Sequence, residues 1–490
     1  MNNERRLVGI DLGISAAHTV RVLRGDGSEV CRRRCWPTRD SLQEIERTAL
    51  SGAPSETRLE VVIEPTGPAW LPIAIYFCGR GHTVHRVSSA KAAALRRFLS
   101  RHAKSNGIDA ETLAKLPIID PGGLLPLELP DQARASLDRR ARASDRLVAL
   151  AAAHKVRIRD LVRQLLPMTP LGRHVSTSDL AVLERTGADP RRLLEIGLAG
   201  LTDLIVEASR GHHDGGRAQA WLDAAQDALE LYGEHPAMPY DDLAAEIRSE
   251  VRLLQAIESE LPEHAAARET AYQQSDPRQL ARSLPGLCEI GAPTAVAFLG
   301  RPQRFGDAAH FRSFTGLTPK ASETGETDRK GQAISKAGPG RLRTTFVRAA
   351  NTARTVDPQL ARLYYLQMVE RGANHLKALC VVAAELAERF WLVMERGAPY
   401  ELRDTDGRPI SKAEGRAIVA ATWKVSDEVR RRRRSRKGGK APQQVHSGRA
   451  TTSAQGAATR RPSPSPIVPP GLTPIKKLLQ HMREETNVPG

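Results

Sequence analysis

Two acidic residues each stand directly after a short apolar run near the amino terminus. Asp11 follows Leu7–Ile10, and Glu64 follows Leu59–Ile63. If these runs are neighbouring strands, both carboxylates emerge at the same end of a sheet. Carboxylate oxygens are hard ligands that suit Mg²⁺. The pair therefore predicts a magnesium site, although acidic residues after strands are also common where no metal binds.

A third segment could complete this site. Within residues 104–114, Asn106 and Asp109 lie three apart and would share one face of a turn or helix. That face could close a ligand cage over the sheet. Two ions about 4 Å apart would then stabilise the attacking and leaving oxygens of a phosphodiester. The spacing thus favours metal-dependent chemistry on a nucleic-acid backbone.

The elements that must position these residues alternate between strand and helix over residues 6–115. Thr19–Leu23 alternates like a second strand, and Arg24–Gly27 supplies Gly and Asp where a hairpin must reverse. The later signals are a helix-like stretch, a strand and the start of another helix, at Ala69–Gly81, Thr83–Val87 and Ser88 or Ser89. A hairpin followed by βαβ elements predicts an α/β layer domain.

Three segments, Val8–Asp11, Ile63–Gly67 and Lys104–Ala114, resemble the DEDD transposases of the bridge-RNA-guided insertion-sequence recombinases in order and approximate spacing. The resemblance implies a ribonuclease H or RuvC-like domain over residues 6–120. It places the family's acidic quartet, the metal ligands, on Asp11, Glu64, Asn106 and Asp109. The third position has Asn where the family pattern has Asp. A neutral carbonyl oxygen should bind a metal more weakly there.

A second series of segments looks like the family's carboxy-terminal transposase domain, which we place at residues 280–405. They are Phe314–Pro319, Glu323–Gly325, Ile334–Gly338 and Arg341–Arg343. In the family, a Ser just before the Gly of the second segment attacks DNA and forms a covalent phosphoserine link. The matching residue here is Thr324, with Ser322 and Ser335 as alternatives. Thr324 could also merely cap a loop.

Cations near this nucleophile are predicted to contact phosphate. They are Arg329, Lys330, Lys336, Arg341 and Arg343. Upstream, Leu284–Leu287 resembles the opening of a helix-hairpin-helix, whose backbone N–H groups meet DNA phosphate. Cys288 replaces the usual second Gly of that turn, and a plain helix-connecting turn is an equal alternative.

Residues 131–275 predict a helical and coiled-coil connector. Asp131–Leu166 is helical in pattern and ends at Pro167, and Asp241–Leu261 carries apolar residues at spacings of three and four. This seam could join two subunits or pack within one. An insertion near residues 170–235 lies outside the resemblance. Aromatic residues make up only 4% of the chain, which also favours helices.

The 490 residues carry a formal charge of +17, which attracts polyanions, although Arg-rich composition alone is a weak sign of nucleic-acid binding. Residues 426–490 are predicted to be a disordered basic tail, with eight cations between Arg430 and Lys440. Five scattered cysteines exclude a disulfide framework. We find no signal peptide and no run of 18 apolar residues. We therefore expect a cytoplasmic protein without membrane partners.

These observations predict an insertion-sequence transposase or recombinase that cuts and rejoins DNA strands with Mg²⁺. The family resemblance also implies a guide RNA from the element and a homo-oligomer, a dimer or tetramer, with a site shared between subunits. A catalytically impaired DNA- or RNA-binding relative is the main alternative, because of Asn106 and Thr324. Gly9–Gly13 before a hairpin also resembles the start of an actin-like or sugar-kinase ATPase, but the downstream nucleotide loops are missing.

Overall fold

A mixed five-stranded sheet forms the amino-terminal part of the protein in the computed structural model. The structure describes residues 5–99, 105–172, 174–233, 235–320 and 332–433 in full, and residues 323–324 and 327–328 by their backbone alone. The strands of this sheet are β1 (Arg6–Asp11), β2 (His18–Arg24), β3 (Glu29–Cys35), β4 (Leu59–Ile63) and β5 (Thr83–Arg86). Their order is β3-β2-β1-β4-β5. Strands β1, β2 and β3 are antiparallel neighbours, whereas β4 runs parallel to both β1 and β5.

Helices cover both faces of this sheet. They are α1 (Arg39–Leu50), α2 (Trp70–Gly79), α3 (Ser89–Leu99) and α4 (Asn106–Ile119). Side chains alternate across a strand, so Val8 and Ile10 of β1 pack with α1 and α2, whereas Leu7 faces α4. Val62 of β4 packs with residues of α3 and α4. The predicted α/β layer domain is confirmed.

Two long helices dominate the middle of the chain and run antiparallel to each other. The helices of this region are α5 (Gln132–Leu165), α6 (Thr177–Thr186), α7 (Pro190–Ser209), α8 (Gly215–Tyr232) and α9 (Tyr240–Ser275). Arg268 of α9 donates a hydrogen bond to Ser144 of α5, and Glu250 contacts His154 farther along the pair. Ile247 of the predicted seam is fully buried. The seam therefore packs within the chain, which was one of its two predicted roles.

The segment near residues 170–235 widens this helical core. Its helices α6, α7 and α8 share buried apolar contacts with α5 and α9, and Trp221 of α8 is fully buried among them. Helix α6 begins with a capping box in which Ser176 and Asp179 exchange hydrogen bonds with each other's backbone. The segment is thus a structural part of the connector.

The carboxy-terminal region is helical apart from one short strand pair. Its elements are α10 (Leu280–Ser283), α11 (Gly291–Leu299), α12 (Ala308–Thr315), β6 (Glu323–Thr324), β7 (Thr327–Asp328), α13 (Gly340–Ala353), α14 (Pro358–Tyr365), α15 (His375–Arg396), α16 (Lys412–Thr422) and α17 (Asp427–Arg432). Phe311, Phe346 and Phe390 stack in its core at ring-centroid distances of 5.6 to 6.1 Å. A mainly helical region, as predicted, therefore follows the α/β part.

The structure moves two predicted boundaries in this region. Helix α16 continues the fold beyond residue 405, and a Cβ at Gly415 would lie 2.3 Å from the carbonyl oxygen of Val356. Helix α17 occupies part of the predicted tail, and Val429 packs against the carboxy-terminal core. The charge run predicted disorder from residue 426. The Ser426 cap and the packing of Val429 instead favour a short helix there. Residues 434–490 lie outside the described part. None of the described helices combines the length and apolarity needed to cross a membrane.

Candidate active site

Asp11 is the last residue of β1 and Glu64 directly follows β4, at the same level of these two neighbouring parallel strands. Ile10 of β1 lies opposite Ile63 of β4, and each acidic residue comes one position later. Parallel strands lie about 4.8 Å apart, which brings the two carboxylates within reach of one ion. Both residues are partly buried. The structure therefore brings these two predicted ligands together.

Gly9 allows helix α4 to lie directly on β1 beside this pair. A Cβ at Gly9 would lie 2.0 Å from the carbonyl oxygen of Ala110 and 2.4 Å from the nitrogen of Ala114, both in the backbone of α4. Asp11 lies two residues after Gly9 and shares its face of the sheet. Because Leu7 packs with Ala114, α4 runs antiparallel to β1, and its first turn lies toward Asp11.

The first turn of α4 carries the other two predicted ligands. Ser105 caps the helix, since its hydroxyl accepts a hydrogen bond from the backbone N–H of Ile108. Asn106 is the first helical residue and is exposed. The Asp109 carboxylate accepts a hydrogen bond of 2.9 Å from Arg96 of α3. The sequence pattern gave no sign of Arg96, because only the packing of α3 against α4 brings it to Asp109.

The donor set fits a divalent cation in part. Asp11 and Glu64 supply hard oxygen ligands from adjacent strands, whereas Asp109 is paired with a guanidinium. Within residues 5–99, 105–320 and 332–433, so far as they are described, no three His, Cys, Asp or Glu side chains gather closely enough to hold an ion. Asp11 and Glu64 are therefore the residues that could hold a metal first. Arg96 competes with a metal for the Asp109 carboxylate, one oxygen of which accepts its hydrogen bond.

Thr324 lies at the tip of a β-hairpin, which we call the arm (residues 316–336). The arm is closed at its base by hydrogen bonds from Lys336 N to Gly316 O, 3.1 Å, and from Ser335 N to Thr318 O, 2.8 Å. At the other end Thr324 pairs with Thr327. The Thr324 side chain lies outside the described part, as do Ser322, Arg329 and Lys330. The backbone thus places the predicted nucleophile in a short antiparallel strand pair.

Arg343 fixes the base of this arm. Its guanidinium donates hydrogen bonds to the carbonyl oxygens of Thr315, 3.4 Å, and Gly338, 3.2 Å. A Cβ at Gly338 would lie 1.7 Å from the carbonyl oxygen of Phe314, so the two chain segments touch. Lys336 is exposed and has a left-handed backbone with φ of 57°. The fallback nucleophile Ser335 accepts a weak hydrogen bond of 3.4 Å from Ala337 N.

Arg341 is placed differently from the phosphate contact that we predicted. Its guanidinium donates hydrogen bonds to Ala141 O, 2.9 Å, and to the Thr294 hydroxyl, 3.2 Å, and it pairs with Asp145. Burial lowers the pKa of Arg341. The side chain therefore ties α13 to α5 and α11. Of the predicted cations whose side chains are described, Lys336 is the exposed one.

The predicted phosphate-binding turn at Leu284–Leu287 packs inward. Gly286 has a φ of 87°, and a Cβ there would lie 2.2 Å from the carbonyl oxygen of Ala349 in α13. Leu284 and Leu287 are buried. These contacts favour the alternative of a plain turn that connects α10 and α11, because the glycine is needed for contact with protein backbone.

Comparisons with known proteins agree with this two-part arrangement. A DEDD transposase model of IS110 elements, described as "Transposase", matches residues 8–167, and the model "Transposase IS116/IS110/IS902 family" matches residues 278–365. The chain is 26% identical over 418 residues to the "Insertion element IS110 uncharacterized 43.6 kDa protein" of Streptomyces coelicolor, across 81% of this chain and 95% of that protein. With both matching regions in order, these comparisons support an IS110-family transposase of insertion elements.

Proposed function

We propose that this protein cuts and rejoins DNA strands during transposition, at a site built from Asp11, Glu64 and the first turn of α4. The observation that carries the proposal is the register of β1 and β4, which places the two carboxylates on adjacent strands. The close contact of Gly9 with Ala110 adds the turn that bears Asp109. This arrangement supports phosphoryl transfer, because oxygen ligands on rigid elements can hold an ion against a phosphate.

In this proposal, Asp11 and Glu64 hold a divalent ion, for which Mg²⁺ is the candidate, and Asp109 joins them when Arg96 releases it. The ion supplies Lewis-acid stabilisation of the phosphoryl oxygens. Asn106 contributes at most a neutral carbonyl oxygen and hydrogen bonds to the strand. The lost negative charge predicts weaker metal binding than a fourth carboxylate would give.

The Thr324 hydroxyl is the proposed nucleophile. Its oxygen forms a bond to phosphorus, the bond from phosphorus to the leaving DNA oxygen breaks, and that oxygen takes up a proton. A DNA hydroxyl then attacks the same phosphorus, restores a phosphodiester and frees Thr324. Lys336 and Arg343 at the base of the arm are proposed phosphate contacts, as are Arg329 and Lys330. Only one terminal nitrogen of Arg343 donates to its two carbonyl partners, which leaves other N–H groups of the guanidinium for phosphate.

Three finer features belong to the same proposal. The strand order β3-β2-β1-β4-β5 supports a ribonuclease H or RuvC-like domain. A guide RNA from the element and a dimer or tetramer are proposed from the family resemblance. A site shared between subunits is proposed from the same resemblance, with the arm of one subunit meeting the acidic pair of another. Because the α9 seam is buried within the chain, such subunits must meet through other surfaces.

A second candidate is a relative that binds nucleic acid without cutting it. The Arg96–Asp109 pair favours this alternative, because a cation already occupies one predicted ligand. The Asn at position 106 points the same way. A direct assay of DNA cleavage separates the two candidates.

The experiment compares the purified full-length protein with Asp11→Asn and Glu64→Gln, on DNA carrying element ends, with element RNA and Mg²⁺. We expect both variants to bind DNA normally but to lose at least a hundredfold in cleavage rate, about 3 kcal/mol of barrier. Glu56→Gln, at an exposed loop position, is the matched control and should cut normally. Cleavage retained by both site variants would refute the proposed site, and an inactive natural protein would support the binding-only candidate.

A further inference from the structure

A basic cleft opens beside the acidic pair on the outer strands of the sheet. Thr19, Val20, Arg21 and Gly107 line it together with the three consecutive arginines Arg32–Arg34. Gly107 lies in the first turn of α4, next to Asn106. The cleft therefore borders the candidate active site without containing its acidic residues.

The strand register places the cleft in line with the acidic pair. Asp11 of β1 lies opposite Thr19 of β2, which lies opposite Arg34 of β3. Directly opposed residues of antiparallel strands share a face of the sheet. Glu64 extends this row on the other side of Asp11. One line across the sheet thus runs from two acidic residues through a hydroxyl to an arginine.

The side chains of β3 divide between the two faces. Arg32 lies opposite Arg21, whose guanidinium is 3.2 Å from the position of a Cβ at Gly107, so this pair faces α4. Arg33 alternates to the opposite face, where Arg47 and, more weakly, Arg33 lower the pKa of Glu44 on α1. Arg33 is therefore a neighbour of equal charge that points away from the row.

Arg34 is the least engaged cation of the cleft. Arg21 and Arg32 share one carboxylate, that of Glu29, at 2.5 and 2.7 Å. Arg34 is exposed and forms no hydrogen bond or ion pair with any residue that the structure describes. Arginines thus outnumber the carboxylates that contact them in the cleft, and a phosphate group is the ligand that suits this excess of positive charge.

We propose that this cleft holds the backbone of the DNA strand that is cut at Asp11 and Glu64, with Arg34 contacting a phosphate away from the cleaved one. Two strand spacings separate Arg34 from Asp11, about 10 Å. Each strand carries one phosphate per about 3.4 Å of helix axis, and successive phosphates are farther apart than this rise, so Arg34 lies within three phosphates of the cleaved position. This inference rests on the proposed function for the position of the cut.

The test measures DNA binding in EDTA, so that its result does not depend on cleavage. Full-length Arg34→Ala is compared with Arg33→Ala on single-stranded element-end DNA across a range of salt concentrations. We expect Arg34→Ala to reduce the slope of log affinity against log salt by about 0.7, the value for one lost contact on a single strand. Arg33→Ala should leave the slope unchanged. Equal effects of the two variants would overturn the proposal.

Single neutral methylphosphonate linkages, placed at successive positions of the strand, identify the phosphate that Arg34 contacts. We expect one linkage within three phosphates of the cleaved position to weaken binding of the natural protein but not of Arg34→Ala, because the variant has already lost that contact. A strand of RNA tests the other source of phosphate. If Arg34→Ala weakens RNA binding and leaves DNA binding intact, the assignment to DNA is wrong. Sensitivity to the neutral linkage that persists in Arg34→Ala would also contradict it.

Discussion

Arg96 of α3 donates a hydrogen bond of 2.9 Å to the carboxylate of Asp109 in α4, and the two side chains are only 26% and 19% exposed. The guanidinium occupies a predicted metal ligand. A metal that recruits Asp109 must therefore compete with a partly shielded ion pair. This competition makes Arg96 a positioning residue whose removal should be visible in metal binding.

We predict that Arg96→Ala binds divalent metal more tightly than the natural protein. Loss of a partly exposed pair frees about 0.5–1 kcal/mol, which corresponds to roughly a two- to fivefold gain in affinity. Titration calorimetry with Mg²⁺ and Mn²⁺ measures this gain. Arg97→Ala, at the exposed next position, is the control and should bind metal normally. Weaker binding by Arg96→Ala would show that Arg96 supports the site rather than competing for it.

Gly9→Ala should separate α4 from the sheet. The new methyl group would meet backbone atoms of Ala110 and Ala114 rather than a movable side chain. We expect the free energy of unfolding to fall by about 1–3 kcal/mol and DNA cleavage to fall with it. Gly79→Ala is the control, because a Cβ at Gly79 meets nothing within 4 Å. Denaturant unfolding measures both variants. Equal stability of the two would contradict the close contact of β1 and α4.

Substitution of Arg341 and of Lys336 should have different effects on stability and DNA binding, although both residues were predicted to bind phosphate. Arg341→Ala removes hydrogen bonds to Ala141 and Thr294, so we expect it to lower the free energy of unfolding by about 1–3 kcal/mol. Lys336→Ala should leave stability within about 0.5 kcal/mol, because the side chain is exposed, and should weaken DNA binding. Thermal unfolding and DNA binding are measured on both. A stable Arg341→Ala with weakened DNA binding would restore the phosphate role of Arg341.

The stability of the amino-terminal domain should depend on pH through the carboxylate of Glu46. Burial acts to raise the pKa of Glu46, but hydrogen bonds from Arg80, His82 and Tyr76 outweigh it and lower the pKa below 4.5. Because the pKa of Glu46 is lower in the folded state, its carboxylate contributes fully to the free energy of unfolding above the unfolded pKa near 4.5. It is lost as the pH falls through the folded pKa.

Glu46→Gln should therefore lower the free energy of unfolding by about 1–3 kcal/mol at pH 7 and lose less stability on acidification than the natural protein. Urea unfolding at pH 7, pH 4.5 and pH 3.5 measures both effects. Glu56→Gln, at an exposed loop position of the same domain, is the control. A parallel pH profile for Glu46→Gln and the natural protein would contradict the role given to this carboxylate.

Local patterns were enough to predict the strands that carry Asp11 and Glu64. Both strands are short apolar runs, and the helix that begins at Asn106 has a Ser cap. Their mutual register could not be predicted, because it depends on which strands become neighbours. Gly9 could have signalled a close backbone approach, but a single glycine in a strand has several explanations.

Predictions failed or stayed open where partners come from distant parts of the chain. Arg341 looked like a surface cation until packing placed it against α5, 200 residues earlier. The α9 seam gave no indication whether its partner was another subunit or α5. The charge run after Val429 concealed the short helix α17, since only the contact of Val429 with the carboxy-terminal core distinguishes it from a solvated segment. Tertiary contacts decided each case.

The central claim is that the acidic pair on β1 and β4 works with the hydroxyl at the tip of the arm. Mass-spectrometric mapping of the covalent protein–DNA adduct tests it most directly, with Mg²⁺ and element-end DNA. We predict an adduct on Thr324 in the natural protein, none in Thr324→Ala, Asp11→Asn or Glu64→Gln, and retention of the adduct in Thr324→Ser. An adduct on another residue, or one that still forms on Thr324 in Asp11→Asn and Glu64→Gln, would contradict the account.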